Sequence, residues 1–125
     1  MKKTVLAIMA LCLSVSLYAF NLKPVFLLLY TDDCVHCQSF LQNTMQDARI
    51  KKTLQQFNVE VININEHREV PYDIDFTGVV PSIHLMDQNR VQLANTVTGN
   101  IPPTDLNVFL QKFLHLYSEY RASLR

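Results

Sequence analysis

A chain of 125 residues has room for one domain, and 49% hydrophobic residues with only two Gly and five Pro exclude a disordered or fibrous chain. Eleven basic residues balance eleven acidic ones without forming a basic stripe, so the composition argues against a nucleic-acid partner. Without Lys2 and Lys3 the balance is nine against eleven, a net charge of −2.

Those two lysines open the chain, and the apolar run from Thr4 to Ala19 follows them. This is the layout of a secretory signal peptide over residues 1–19, with Leu17-Tyr18-Ala19 as the cleavage site and Ser14-Val15-Ser16 as its competitor. The run is short for a membrane span, which needs about 20 apolar residues. The expectation is an exported, periplasmic protein whose single domain is 20–125, with no membrane contact once the peptide is cleaved; an uncleaved anchor is the alternative. Cys12 follows Leu11, where a lipoprotein signal requires a small residue, and would leave with the peptide. Cys34 and Cys37 would then be the remaining cysteines.

Pro24 to Tyr30 is a near-continuous apolar run, the pattern of a central strand covered on both faces. Asp32 and Asp33 are natural helix N-caps, and Ser39 to Ala48 carries helical spacing, so Cys34-Val35-His36-Cys37 falls at a strand-to-helix junction. A cysteine in the first turn of a helix faces unsatisfied backbone N–H groups and the positive end of the macrodipole, which favour the thiolate. The second cysteine, three positions on, is its neighbour on the same helical face, within reach of a disulfide. A ring enclosing two residues stabilises little by loop closure, so such a bridge suits chemistry better than stapling.

Phe40, Leu41, Met45 and Ala48 continue at helical spacing, and Ile50, Leu54 and Phe57 extend the stripe past a kink near Asp47. Val59 to Ile64 is β-branched and reads as a second strand, parallel to the first through a right-handed crossover. Residues 66–75, polar and interrupted by Pro71, read as a loop or one weak turn. Ser82–Met86 and Val91–Val97 read as an antiparallel hairpin closed by Gly99. Pro102-Pro103-Thr104-Asp105 opens a last helix capped by Thr104 or Asp105, whose core face is Leu106, Phe109, Leu110, Phe113, Leu114, Tyr117 and Tyr120.

The order strand, CxxC helix, strand, loop, Gly-x-x-Pro, hairpin, helix resembles the thioredoxin superfamily over roughly residues 24 to 120. The resemblance implies an α/β thioredoxin-like fold with a reduced four-stranded mixed sheet, strands in the order 2-1-3-4, flanked by helices. It implies that Cys34 is the attacking nucleophile and Cys37 the resolving thiol. It also implies that Pro81, in Gly78-Val79-Val80-Pro81-Ser82, is a cis proline facing the pair, with Val80 and Pro81 forming the edge on which substrate docks. Gly99 matches the family's glycine before the final helix.

Departures are equally specific. The family's buried acid six residues before the first cysteine is Leu28 here, there is no Trp, and no segment is available for the usual extra N-terminal strand. Asp32 or Asp33 could substitute for the acid, or simply cap the helix. His36 resembles the histidine of strong periplasmic oxidants; a partly protonated imidazole favours the Cys34 thiolate, while Asp32 and Asp33 oppose it. These three residues are the candidates for redox tuning. The sequence thus predicts a thiol:disulfide oxidoreductase with no cofactor and no resident metal, exchanging disulfides with protein substrates and with an electron donor or acceptor protein. Two alternatives stand beside it. One is copper or zinc delivery using Cys34, His36 and Cys37, with His84; the other is a non-catalytic interaction module. His67, His84 and His115 are otherwise read as isolated surface or strand residues.

Overall fold

The computed structural model describes residues 22–66, 70 and 73–124, so the signal-peptide reading of 1–19 lies outside the described residues. The chain runs through β1 (Val25–Tyr30), α1 (Val35–Gln42), a 3-10 turn (Thr44–Gln46), α2 (Ala48–Leu54), β2 (Asn58–Asn63), β3 (Ser82–Met86), β4 (Val97–Thr98) and α3 (Pro103–Ser123). The strands form one mixed sheet in the order β2-β1-β3-β4. β1 pairs with β2 in parallel and with β3 antiparallel, which is why its apolar run needs cover on both faces.

Side chains alternate across that strand. Phe26 and Leu28 enter a core with Phe40 of α1, Ile50 and Leu54 of α2, and Leu106, Leu110 and Phe113 of α3. Val25, Leu27 and Leu29 point the other way, join Met86, and are covered by Ile64, Val70, Ile74 and Phe76 from the segment after β2. Helices therefore cover one face and a connecting segment covers the other. Tyr117 completes the first core, whereas Tyr120, assigned to the apolar face from its spacing, is exposed.

Three sequence expectations change. The stripe from Ser39 to Phe57 is not one kinked helix: α1 stops at Gln42, and α2 starts afresh at Asp47, whose carboxylate accepts from the backbone N–H groups of Arg49 and Ile50. A side-chain cap that satisfies two orphan donors is enough to begin a new helix. At α3 the cap position is Pro102, not Thr104 or Asp105, and no side chain caps it. Pro103, with its fixed φ and no N–H to satisfy, suits the first helical position. The strand expected over Val91–Val97 shrinks to β4 plus a single bridge between Gln92 and Met86. There the Gln92 side chain turns inward to serve a buried histidine, described below, and leaves Val91 and Leu93 exposed.

Candidate redox site

β1 and β3 bring the two halves of the site to one end of the sheet. Leu29 lies opposite Ser82, so Pro81, immediately before β3, reaches the same end as residues 31–34 leaving β1. The Val80–Pro81 peptide bond is cis. Gly99 follows β4 with φ +96°, a left-handed conformation that glycine adopts without penalty, and its N–H donates to the Pro81 carbonyl at 2.9 Å. The loop before α3 is fixed to the start of the helical layer by the Thr44 hydroxyl, which donates to the Ile101 carbonyl at 2.7 Å.

Cys34 and Cys37 are joined as a disulfide with Cα atoms 5.1 Å apart, inside the range that needs no backbone movement. Cys34 is itself the N-cap of α1: its backbone is extended, and its Sγ accepts from the Cys37 N–H at 3.1 Å. A sulfur in that position would keep the same donor as a thiolate, with the helix dipole behind it. Exposure separates the pair. Cys34 is half-buried and Cys37 fully buried. The Val80 carbonyl oxygen lies 3.7 Å from the Cys34 sulfur. Around them Val35 is 80% exposed and Val79 52% exposed, an apolar rim on an otherwise polar loop surface. His36 is exposed on the first turn.

Asp32 and Asp33 do not cap α1. The Asp32 carboxylate accepts from the Asn63 side-chain amide at 2.7 Å, and its backbone carbonyl accepts from the Gln38 amide at 2.7 Å. Asp33 accepts from the Asn65 amide at 3.4 Å. A hydrogen bond from the Thr31 side chain, with help from Asn65, holds the Asp33 carboxyl below the usual carboxylate range, so it is ionised at neutral pH. Both carboxylates are thus engaged with the end of β2, and the cap role passes to the cysteine. Asn63, Asn65 and Gln38 were not singled out from the sequence; the Asn-x-Asn spacing at the end of a strand was their one signal.

Leu28, in the place of the family's buried acid, is sealed in the apolar core. A fully buried titratable side chain, His84, lies instead on the opposite face of the sheet. His84 pairs with Leu27 across β1 and β3 and is fully buried. Gln92 sets its tautomer: the Gln92 amide nitrogen donates to the Ala94 carbonyl and the Thr96 hydroxyl, so its oxygen must accept, and His84 Nδ1–H donates to it at 3.0 Å. His84 Nε2 then accepts from the Ser82 hydroxyl at 2.6 Å. The ring is committed to structure and does not join Cys34, Cys37 and His36. Among the described residues no cluster of three His, Cys, Asp or Glu side chains could hold a metal ion. His115 is exposed and pairs with Glu119 at 3.4 Å; His67 lies outside the described residues.

Burial pushes the His84 pKa below its ordinary 6.5. Below that ordinary value the unfolded chain takes up a proton that the folded chain resists, so stability is complete at neutral pH and declines as pH falls. His84→Gln should remove this part of the slope. Urea midpoints taken between about pH 7.5 and 5.5 check it: equal slopes for the wild type and the variant would reject the assignment.

The sequence matches no protein-family model and no curated protein. Solved structures do match. The oxidised C-terminal domain of DsbD from Neisseria meningitidis superposes with a TM-score of 0.60 at 16% identity, covering 85% of this chain and 93% of that one. A thioredoxin from Thermus thermophilus superposes at 0.59 with 16% identity, covering 74% of each chain. The fold is that of a thioredoxin. The germline-specific thioredoxin Deadhead from Drosophila melanogaster agrees, with a TM-score of 0.58, 21% identity, and coverage of 79% of this chain and 89% of that one. On that fold the present chain carries Val-His between its cysteines and paired asparagines holding the acidic turn.

Proposed function

We propose that this chain is a thiol:disulfide oxidoreductase that exchanges disulfides with protein substrates outside the cytoplasm. The observation that carries the reading is the unequal Cys34–Cys37 disulfide: one sulfur reachable at the N-terminus of α1 beside the Val80 carbonyl, the other sealed beneath it. In the oxidising direction a substrate thiolate attacks the Cys34 sulfur and Cys37 leaves as a thiolate. A second substrate thiolate then attacks the substrate sulfur of the mixed disulfide and releases Cys34. Two electrons pass to the protein, and the reverse sequence reduces a substrate disulfide. An extended substrate segment adds to the backbone at the Val80–Pro81 edge as a short strand, with the exposed Val35 and Val79 contacting apolar side chains next to its cysteine. A redox partner protein returns the pair to its starting state. The export reading rests on the layout of residues 1–19.

Reduction of insulin disulfides with a small-molecule dithiol as electron source tests the activity. Turnover above the dithiol background is expected, and background rates for the folded protein would reject the reading. His36 sets the direction of poise. A donor or positive charge near the Cys34 thiolate stabilises it and hence the reduced form; we assign that part to His36, exposed on the first turn of α1, so His36→Gln should lower the reduction potential, with each 30 mV equal to about 1.4 kcal/mol. Equilibration against glutathione measures it, and an unchanged or higher potential would remove His36 from the tuning set.

A further inference from the structure

β2 is an edge strand: among the described residues it pairs with β1 alone. The Asn58 N–H donates to the Pro24 carbonyl at 2.8 Å and the Ile64 N–H to the Tyr30 carbonyl at 3.0 Å. Backbone groups alternate in direction along a strand, so those of Val59, Val61 and Asn63 face away from the sheet. The Asn63 carbonyl already accepts from the Glu66 N–H at 3.1 Å, so the open part of this edge is the backbone of Val59 and Val61. Such an edge is a template for another strand, and edges that stay single carry a guard such as a proline, an outward charge or a bulge. No proline, lysine or bulge stands between Asn58 and Asn63, and the one charged side chain, Glu60, is already ion-paired. Val59 and Val61 are 42% and 47% exposed, and their partners Phe26 and Leu28 place them on the helix-covered face. Glu60, on the other face, is ion-paired with Arg90.

We propose that this edge binds a second copy of the chain, β2 against β2, antiparallel about a twofold axis normal to the sheet, with Val59 opposite Val61 of the second copy. Such an axis keeps like faces together. Both residues present outward N–H and C=O groups, so each Val59–Val61 pair exchanges both of its hydrogen bonds. On the helical face the valines meet as apolar cross-strand pairs. On the other face Glu60 meets Glu60 of the second copy, and each brings its Arg90, so that two carboxylates and two guanidinium groups alternate. The strand is thereby its own complement in hydrogen bonding, in apolar contact and in charge.

Sedimentation equilibrium of the full chain, with reductant present so that Cys12 cannot link molecules, gives the mass over a concentration series. Amide hydrogen exchange is read on the same samples. The proposal expects a concentration-dependent rise toward twice the 14.4 kDa of one chain, with slowed exchange at Val59 and Val61 in step with it. Val61→Lys and Val59→Lys should each abolish the rise while the far-ultraviolet circular dichroism spectrum stays unchanged. A single-chain mass throughout, a dimer whose Val59 and Val61 amides exchange freely, or a dimer that survives both lysines in folded protein would overturn it. Protection at these amides in a molecule of single-chain mass would overturn it too, because the occupant would then come from the same chain.

Discussion

Cys37→Ser should accumulate mixed disulfides when its Cys34 thiolate attacks disulfide-bonded protein substrates, the second substrate sulfur leaving as a thiolate; Cys34→Ser should form none, and both should reduce insulin no faster than the dithiol background. The asymmetry follows from where the fold puts each sulfur. Cys34 caps α1, is half-buried, and has the helix dipole and the Cys37 N–H to favour its thiolate; Cys37 is fully buried one turn on. A thiol at a helix N-terminus ionises more readily than the free side chain, and one sealed among apolar groups ionises less readily. In the reduced wild type Cys34 should therefore be alkylated first, and the preference should widen as the pH is lowered into the mildly acidic range. Without Cys37 the neighbouring thiol that would release a substrate bound at Cys34 is gone, so the intermediate persists. Mass spectrometry of quenched reactions reads both outcomes. Equal alkylation of the two thiols with no trapped species would leave the disulfide without a catalytic role.

Much of this site was legible because strand and helix signals are strong where they meet. A run such as Val25–Tyr30 needs burial on two sides, and burial on two sides fixes it as the middle of a sheet. The two cysteines follow at once, so their position at the head of a helix came directly from the pattern. The strand order 2-1-3-4 came through the family resemblance, and the sheet has that order.

What the pattern hid was the destination of polar side chains. Asp32 and Asp33 have the right chemistry for a cap, but Asn63 and Asn65 lie far along the chain and come beside them only when β2 pairs with β1. The hairpin failed for a related reason. Alternation across Val91 to Val97 predicts outward polar residues, yet His84 is buried and requires an acceptor, so Gln92 points inward. Asp75 adds its backbone N–H to the same Gln92 oxygen at 3.1 Å, and its carbonyl accepts from the Thr96 hydroxyl at 2.8 Å, which ties the covering segment to this network. Leaving a buried donor unpaired costs about 1–3 kcal/mol, more than the roughly 0.2–1 kcal/mol of one cross-strand pair, so the histidine's requirement outweighs the strand.

Phe40→Ala should cost about 3–5 kcal/mol, the range for truncating a buried Phe, out of a total stability of about 5–15 kcal/mol for a domain of this kind. The reason is the shortness of the redox helix. α1 has eight residues, fewer than the roughly 12 to 15 at which an isolated helix becomes even marginally stable in water, so tertiary packing must hold it. Its two buried side chains are Cys37 and Phe40. Phe40 is fully buried in the core that joins β1 to α2 and α3, and its loss leaves a cavity beneath α1. Val35→Ala, on the exposed side of the same helix, should stay within about 0.5 kcal/mol of the wild type. Urea unfolding of both variants provides the comparison, with the slope checked so that a shift in midpoint can be read as stability. In Phe40→Ala the reduced Cys37 should also become reactive toward alkylating reagents under native conditions, because the side chain that presses its helix onto the sheet is gone. A variant as stable as Val35→Ala, with Cys37 still protected, would mean that the disulfide and the sheet hold the helix without this ring.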